Sequence, residues 1–331
     1  MHTRQNTPVA GLQALLKESL DYAGLFPPAK LPLETAVENY AKYKSAADAW
    51  LLSRFVCPVS RLAELDAAIP LFARTSPPLV SALALPCATW KEFVGKIDES
   101  LQLIVDFERA HSPRVQVDSL EVALPADLTA TAGRMEIGEL IVGLAEAVEL
   151  SGISPLTPFF EVAAKDWDVQ VPATVRALAK HNAGWRGKQC RRAAFKLRTG
   201  GLTADAFPSV DEVTGVITTC LDSGVRFKCT AGLHHPVRQY DQSVGTRMHG
   251  FLNIFSAAVL LHARALERAD LPALLEDEQV EHFRFDATGF SWNGIQATVE
   301  ETSEARYDLF VSFGSCSFEE PLEDLRAFGL L

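Results

Sequence analysis

Apolar residues along this chain fall into two alternating patterns. Short uninterrupted runs stop at proline, glycine or a charged residue, and between them lie longer stretches with apolar residues three and four apart. The first pattern reads as a strand covered on both faces, the second as an amphipathic helix lying over such strands. Residues 9–20 and 33–46 carry the helical spacing and are joined by the turn-rich DYAGLFPPAKLP. AWLLSRFVCP near 49–58 predicts a strand, SRLAELDAAIPLF a helix, and PPLVSALALP at 77–86 a second strand. TWKEFVGKIDESLQLIVDFERAH predicts a long helix, with Thr89 as N-cap before Glu92. The alternation continues through strands at 117–125, 158–163, 192–201 and 225–232, with helices near 135–150, 171–182 and 209–222. HGFLNIF at 249–255 is expected to open as a strand before a helix running to about residue 268. The eighth strand falls at 282–287 or at 308–315, and the pattern does not choose between them.

Strands separated by amphipathic helices imply parallel pairing through helical crossovers. A closed barrel and an open doubly wound sheet share that signature. Seven or eight strands, with no GxGxxG loop after the first, favour an eight-stranded β/α barrel of the TIM type. No Pro/Gly/Ser-rich linker divides the chain. The expected organisation is a helical extension over 1–46 and a single barrel domain over 47–331, within which 288–331 is the least legible part.

Composition narrows the function. In 331 residues, 48% hydrophobic and 22% charged, there is ample material for a large core. A net charge of −11 with no block of like charges argues against a nucleic-acid partner, which needs a basic stripe to neutralise phosphates. It leaves room for a small anion, because Arg192, Lys196, Arg198, Arg226, Lys228 and Arg238 lie close in sequence. The N-terminal residues lack the apolar core of a secretory signal, and no apolar stretch is long enough to span a membrane. Six cysteines without a CxxC pair read as free thiols. The expectation is therefore a cytoplasmic protein with no membrane partner. Assembly into a homo-oligomer is left open.

In a β/α barrel the reactive groups sit at the C-terminal ends of the strands. The strand-like runs here are apolar except at Glu121, Glu161, Lys196 with Arg198, and Lys228 with Thr230. A period of two puts Lys196 and Arg198 on one face. Burying an isolated ammonium is costly, so such a lysine is paired, neutralised or used. One reading is a structural ion network in which Glu121 and Glu161 pair with Lys196, Lys228 or Arg198. The other is a catalytic site, because each lysine leads into a small-residue turn: Thr199, Gly200 and Gly201 after Lys196, and Thr230 to Gly232 after Lys228. Such turns let backbone N–H groups face an anion, here with Arg198 or Arg238 adding bidentate contacts and His234 and His235 beside them.

FKLRTGG followed by FKCTAGLHHPVR resembles the paired lysine motifs of class I deoxyribose-phosphate-type aldolases. The resemblance implies that Lys196 is the Schiff-base lysine, that Lys228 is the neighbour depressing its pKa, and that Glu161 is the carboxylate of a proton relay. It implies a lyase or aldolase acting on a small anionic carbonyl metabolite, phosphorylated or carboxylated, with no cofactor.

Two alternatives stand beside it. His234, His235 and His249 fall after two adjacent strand segments, and with Glu121 and Glu161 they could ligate a divalent metal for an isomerase or lyase. A non-catalytic barrel that binds an anion is the third reading. Ser317 with Glu320 reads as a capping box opening the last helix. DYAGLFPPA places Asp21 and Tyr22 where they could reach over the barrel mouth.

Overall fold

The computed structural model describes residues 8–125, 134–162 and 167–331. Residues 1–7, part of the expected extension, and residue 163, the last of a predicted strand, lie outside them. The strands, in chain order, are β1 (Leu20–Tyr22), β2 (Leu52–Pro58), β3 (Leu79–Leu83), β4 (Gln116–Ala123), β5 (Thr157–Glu161), β6 (Ala194–Arg198), β7 (Phe227–Thr230), β8 (Gln239–Asp241), β9 (Thr246–Met248), β10 (Phe283–Phe285), β11 (Gly289–Trp292), β12 (Ile295–Thr298) and β13 (Phe310–Ser315). Eight of them, in the order β1-β13-β7-β6-β5-β4-β3-β2, close into a barrel in which every pairing is parallel. The fold is thus the expected TIM-type barrel. Among the described residues no helix is long and apolar enough to cross a membrane, and all six cysteines are free thiols.

Three elements differ from expectation, each for a physical reason. The barrel begins inside the stretch assigned to the extension: β1 pairs with β13 on one side and β2 on the other. At three residues it is too short to show a period. The boundary at residue 46 therefore does not follow the barrel, and among the described residues the helix Ala10–Leu16 is the one element ahead of β1. Second, HGFLNIF opens no strand; Phe251–His262 is one helix, and Phe251 to Leu261 are all buried. An element covered on every side has no polar face, so helix and strand look alike in sequence. Phe251 stacks on Phe313 and Phe255 meets Phe310 edge-on, both on β13, fixing that helix against the barrel wall. Third, the eighth barrel strand is the 308–315 segment, while HFRFDA supplies β10 to a small antiparallel sheet with β11 and β12.

That small sheet packs against the first helix at a glycine. A Cβ on Gly11 would stand 1.8 Å from the carbonyl oxygen of Gly289, so no other residue fits there. Outward-facing strand residues such as Phe195, Leu197, Phe227 and Cys229 are buried under the surrounding helices. The inward face of the barrel is polar instead. Asp21, Ser81, Ser119, Glu121, Lys228 and Ser312 are each no more than 3% exposed. The register of β3 on β4 shifts between Val80 and Ser81, which leaves Asp118 as a bulged extra residue and turns Ser119 and Glu121 inward.

Candidate active site at the mouth of the barrel

Lys196 and Lys228 are direct register partners on β6 and β7, and Glu161 is the register partner of Lys196 on β5. Alternation along each strand sends the neighbours Phe195, Leu197, Phe227 and Cys229 outward and both ammonium groups inward. They meet at one carboxylate. The Lys228 Nζ donates to Glu121 Oε1 at 2.7 Å and to Asp21 Oδ2 at 2.6 Å. The Lys196 Nζ lies 2.8 Å from Glu121 Oε2 and 2.7 Å from Glu161 Oε2. Ser81 donates to Glu121 and Ser312 to Asp21, so the remaining carboxylate lone pairs are also engaged.

The pairing continues in both directions. Asp21 is 3.4 Å from Arg54, which grips Asp118 through two nitrogens at 2.6 and 2.8 Å. At the other end Glu161 lies 3.9 Å from Arg198. From Asp118 through Arg54, Asp21, Lys228, Glu121, Lys196 and Glu161 to Arg198, the charges alternate in sign. Burial opposes charge on Glu121, but the Lys196 and Lys228 ammoniums outweigh it and hold the carboxyl well below the usual range. Asp21 is lowered in the same way, against its burial, by Lys228 and Arg54. For Lys196, burial favours the neutral amine, yet Glu121 and Glu161 prevail and raise it above an ordinary lysine. The direction is the reverse of the depressed pKa that the resemblance implies for Lys196. The Glu121 carboxylate stands between the two cations and converts repulsion into a shared attraction.

Above this network opens a cavity of about 500 Å³. Glu121, Lys196 and Lys228 form its floor, and Phe26 and Pro28 wall it from the loop after β1. The β8–β9 hairpin closes another side with Asp241 and Met248. Lys196 also borders a hollow of about 370 Å³ on the β5 side, where Glu161 and Trp167 stand. The Lys196–Glu161 pair thus divides two open spaces, whereas the Lys228 side chain is 0% exposed behind it.

The two turns meet beside the mouth. A Cβ on Gly200 would come within 3.0 Å of the Gly232 Cα, and Gly232 itself has φ +74°, so both positions demand glycine for packing and conformation. Gly201, Thr230, Gly232, His234, His235 and Arg198 line the cavity. Among the described residues, no backbone partner occupies the N–H of Gly201 or of Gly232. Arg198 is tethered by its Nε to the Gly200 carbonyl at 3.0 Å.

Several expected contributors sit elsewhere. Thr199 is fully buried, and its hydroxyl donates to the Thr230 and Ala231 carbonyls, locking the two turns together rather than facing the cavity. Arg238 points away from the cavity. Its Nη1 donates to His249 Nδ1, whose Nε2 in turn donates to the Pro208 carbonyl. Burial, with Arg238 adding, pushes His249 down to about 4, so it is a neutral structural ring. His234 binds Glu320 at 2.9 Å and His235 binds Asp324 at 2.7 Å, both on the helix Glu319–Ala327. Among the described residues no group of three or more His, Cys, Asp or Glu side chains is placed to hold a metal ion. The Glu320 backbone N–H donates to Ser317 Oγ, so half of the expected capping box forms, while the Glu320 carboxylate serves His234. Asp21 does not reach over the mouth; it is the deepest carboxylate of the lysine pair, and Tyr22 is buried against Tyr43 and Phe55.

Asp21 is the residue that sequence reasoning misplaced, although it carried the same signal as Glu121, a lone acid between apolar neighbours. Arg54, between Ser53 and Phe55 in β2, and Asp118, between Val117 and Ser119 at the bulge of β4, carried a weaker signal, a charge inside a strand-like run.

No protein-family model matches the chain, and no curated protein matches it. Among solved structures it is similar to a native GH5 cellulase, Bacteroidetes-affiliated and linked with a polysaccharide utilization locus. The TM-score is 0.38 and the identity 10%, over 96% of each chain. A likeness of that degree says nothing about chemistry, and the barrel rests on its own strand order.

Proposed function

We propose that the mouth of this barrel is the active site of a lysine-dependent lyase acting on a small anionic carbonyl compound, with Lys196 as the reacting group. The observation that carries this reading is the asymmetry between two adjacent lysines. Both line the cavity, but the Lys228 side chain is 0% exposed and paired to two carboxylates, while Lys196 is 10% exposed, borders the second hollow as well, and has a carboxylate, Glu161, 2.7 Å from its Nζ. Glu161 accepts a proton from the ammonium, and the freed amine adds to the substrate carbonyl carbon. The proton returns to the hydroxyl of the adduct, which leaves as water, and a protonated imine remains to draw electrons from the neighbouring bond. Lys228 holds Glu121 in place and touches no substrate. The anionic end of the substrate lies at the turns 199–202 and 230–235, met by Arg198 and the N–H groups of Gly201 and Gly232.

A second reading is favoured by one observation: Lys196 is raised above an ordinary lysine by its two carboxylates. In that reading it stays an ammonium and protonates or stabilises an oxyanion, while Glu161 takes a proton from the substrate carbon. Borohydride separates the two. With pyruvate or glyceraldehyde 3-phosphate as probes, the imine reading requires a reduced adduct on Lys196 by mass spectrometry, lost in Lys196→Met and retained in part by Lys228→Met. An adduct that survives Lys196→Met sinks the assignment. Turnover with no adduct under any borohydride condition transfers the site to acid–base chemistry. Anion binding with neither adduct nor turnover makes it a binding barrel.

A further inference from the structure

The opposite end of the barrel holds a larger cavity, about 880 Å³, lined by Arg54, Arg191, Arg192 and Arg226. Its origin lies in two short sequence steps. Arg191 and Arg192 lead into β6 and Arg226 leads directly into β7, and because those strands pair, three guanidiniums arrive together at the N-terminal face. Arg54 is committed to Asp118 and Asp21. Among the described residues, no ion pair holds Arg191, Arg192 or Arg226. Asp308 is the single carboxylate lining the cavity, and it lies 3.6 Å from His262. Burial is the main cause that lowers the Arg226 pKa from its ordinary value, with Arg191, Arg54 and Arg192 adding to it. A partly buried cation without a counter-ion is costly, and this one recurs beside two more in a chain of net charge −11. Guanidinium forks match phosphate oxygens in pairs, and several converging on one concave space suit a ligand with more than one negative charge.

We propose that this cavity binds a phosphorylated small molecule carrying at least two negative charges, at a site separate from the barrel mouth. The site lies on the face where β/α barrels do not place their catalysis, so its occupant is a bound effector and not a substrate. The proposal stands apart from the lysine chemistry and survives its failure.

Pyrophosphate is the probe, titrated calorimetrically into the full chain at low salt. The proposal expects saturable binding that weakens steeply with added salt. Arg226→Gln should weaken it at least tenfold. Because Arg226→Gln can disturb folding, Arg192→Gln at the exposed rim serves as the second variant and should weaken binding about fivefold with an unchanged circular dichroism spectrum. Arg198→Gln, at the mouth, removes at most a separate binding component there and should leave the component that depends on Arg226 and Arg192 unchanged. Affinity lost in Arg198→Gln and kept in Arg192→Gln would put the anion at the mouth and overturn the proposal. So would the absence of any binding to the wild-type chain at millimolar pyrophosphate.

Discussion

The two ends of this barrel use the same residue types in opposite ways. Toward the mouth, each lysine is met by carboxylates within 3 Å: Lys228 by Asp21 and Glu121, Lys196 by Glu121 and Glu161. At the floor, Arg191, Arg192 and Arg226 gather around an open cavity with one carboxylate, already beside a histidine. The contrast teaches that a buried or half-buried cation is informative through its partners. A matched network holds its members in one geometry and makes each costly to remove. An unmatched cluster leaves its charge available to a ligand.

The sharpest break in that comparison comes from Glu121, the carboxylate both lysines share. Glu121→Gln leaves two buried ammoniums short of a charge partner and should cost about 3–5 kcal/mol by urea denaturation. A loss under 1 kcal/mol would mean that the mouth network is no better matched than the floor.

The pH dependence follows from the same groups. Glu121 and Asp21 are lowered in the fold, so their contribution is present above the unfolded carboxylate values near 4 and drains away as pH falls toward their folded values. Lys196 is raised, so its contribution is full below the unfolded lysine value near 10.4 and is lost only as pH climbs through the folded value above it. Stability should therefore stay nearly flat between about pH 5 and 10 and fall at both extremes. If the imine reading holds, adduct formation should rise with pH across that plateau, because free Lys196 amine becomes more abundant. A stability maximum confined to acid would contradict the pairing.

Arg306 sharpens the contrast from within the floor end. It is half-buried, donates to the carbonyls of Leu15, Lys17, Phe310 and Val311, and lies 5.1 Å from the Phe255 ring centre. Burial lowers it to about 10. Arg306→Met strands the part-buried carbonyls of Leu15, Phe310 and Val311 and should cost about 2–3 kcal/mol, read as a lowered melting temperature. The smallest effect belongs to Arg226. Arg226→Met keeps the aliphatic stem and removes an unmatched charge, so stability should stay within about 0.5 kcal/mol of wild type or rise. A loss comparable to that of Arg306→Met would show that Arg226 has a structural partner after all.

Periodicity and isolated polarity were enough to read the barrel, most of its strands and four members of the mouth network. Glu121, Glu161, Lys196 and Lys228 each stood alone among apolar neighbours in runs long enough to show a face. Parallel pairing then brings equivalent positions of adjacent strands together, so the meeting of Lys196 with Lys228 follows from local pattern and a 32-residue βαβ spacing between 196 and 228. The sequence was silent wherever an element was too short or buried on all sides. LDY is a three-residue strand and Phe251–His262 a helix without a polar face, so neither shows a period.

Partner choice was the other matter left to tertiary structure. Asp21 lies 207 positions from Lys228, and only closure of the barrel through β1 and β13 sets them 2.6 Å apart. The same closure decided that Glu121 separates the two lysines, that His234 and His235 turn to the last helix, and that three arginines face a cavity with a single carboxylate. A strand's sequence determines which side chains point inward, because that alternation is local. Which inward charges touch depends on strand order and register around the ring, and those are settled only when the whole sheet closes.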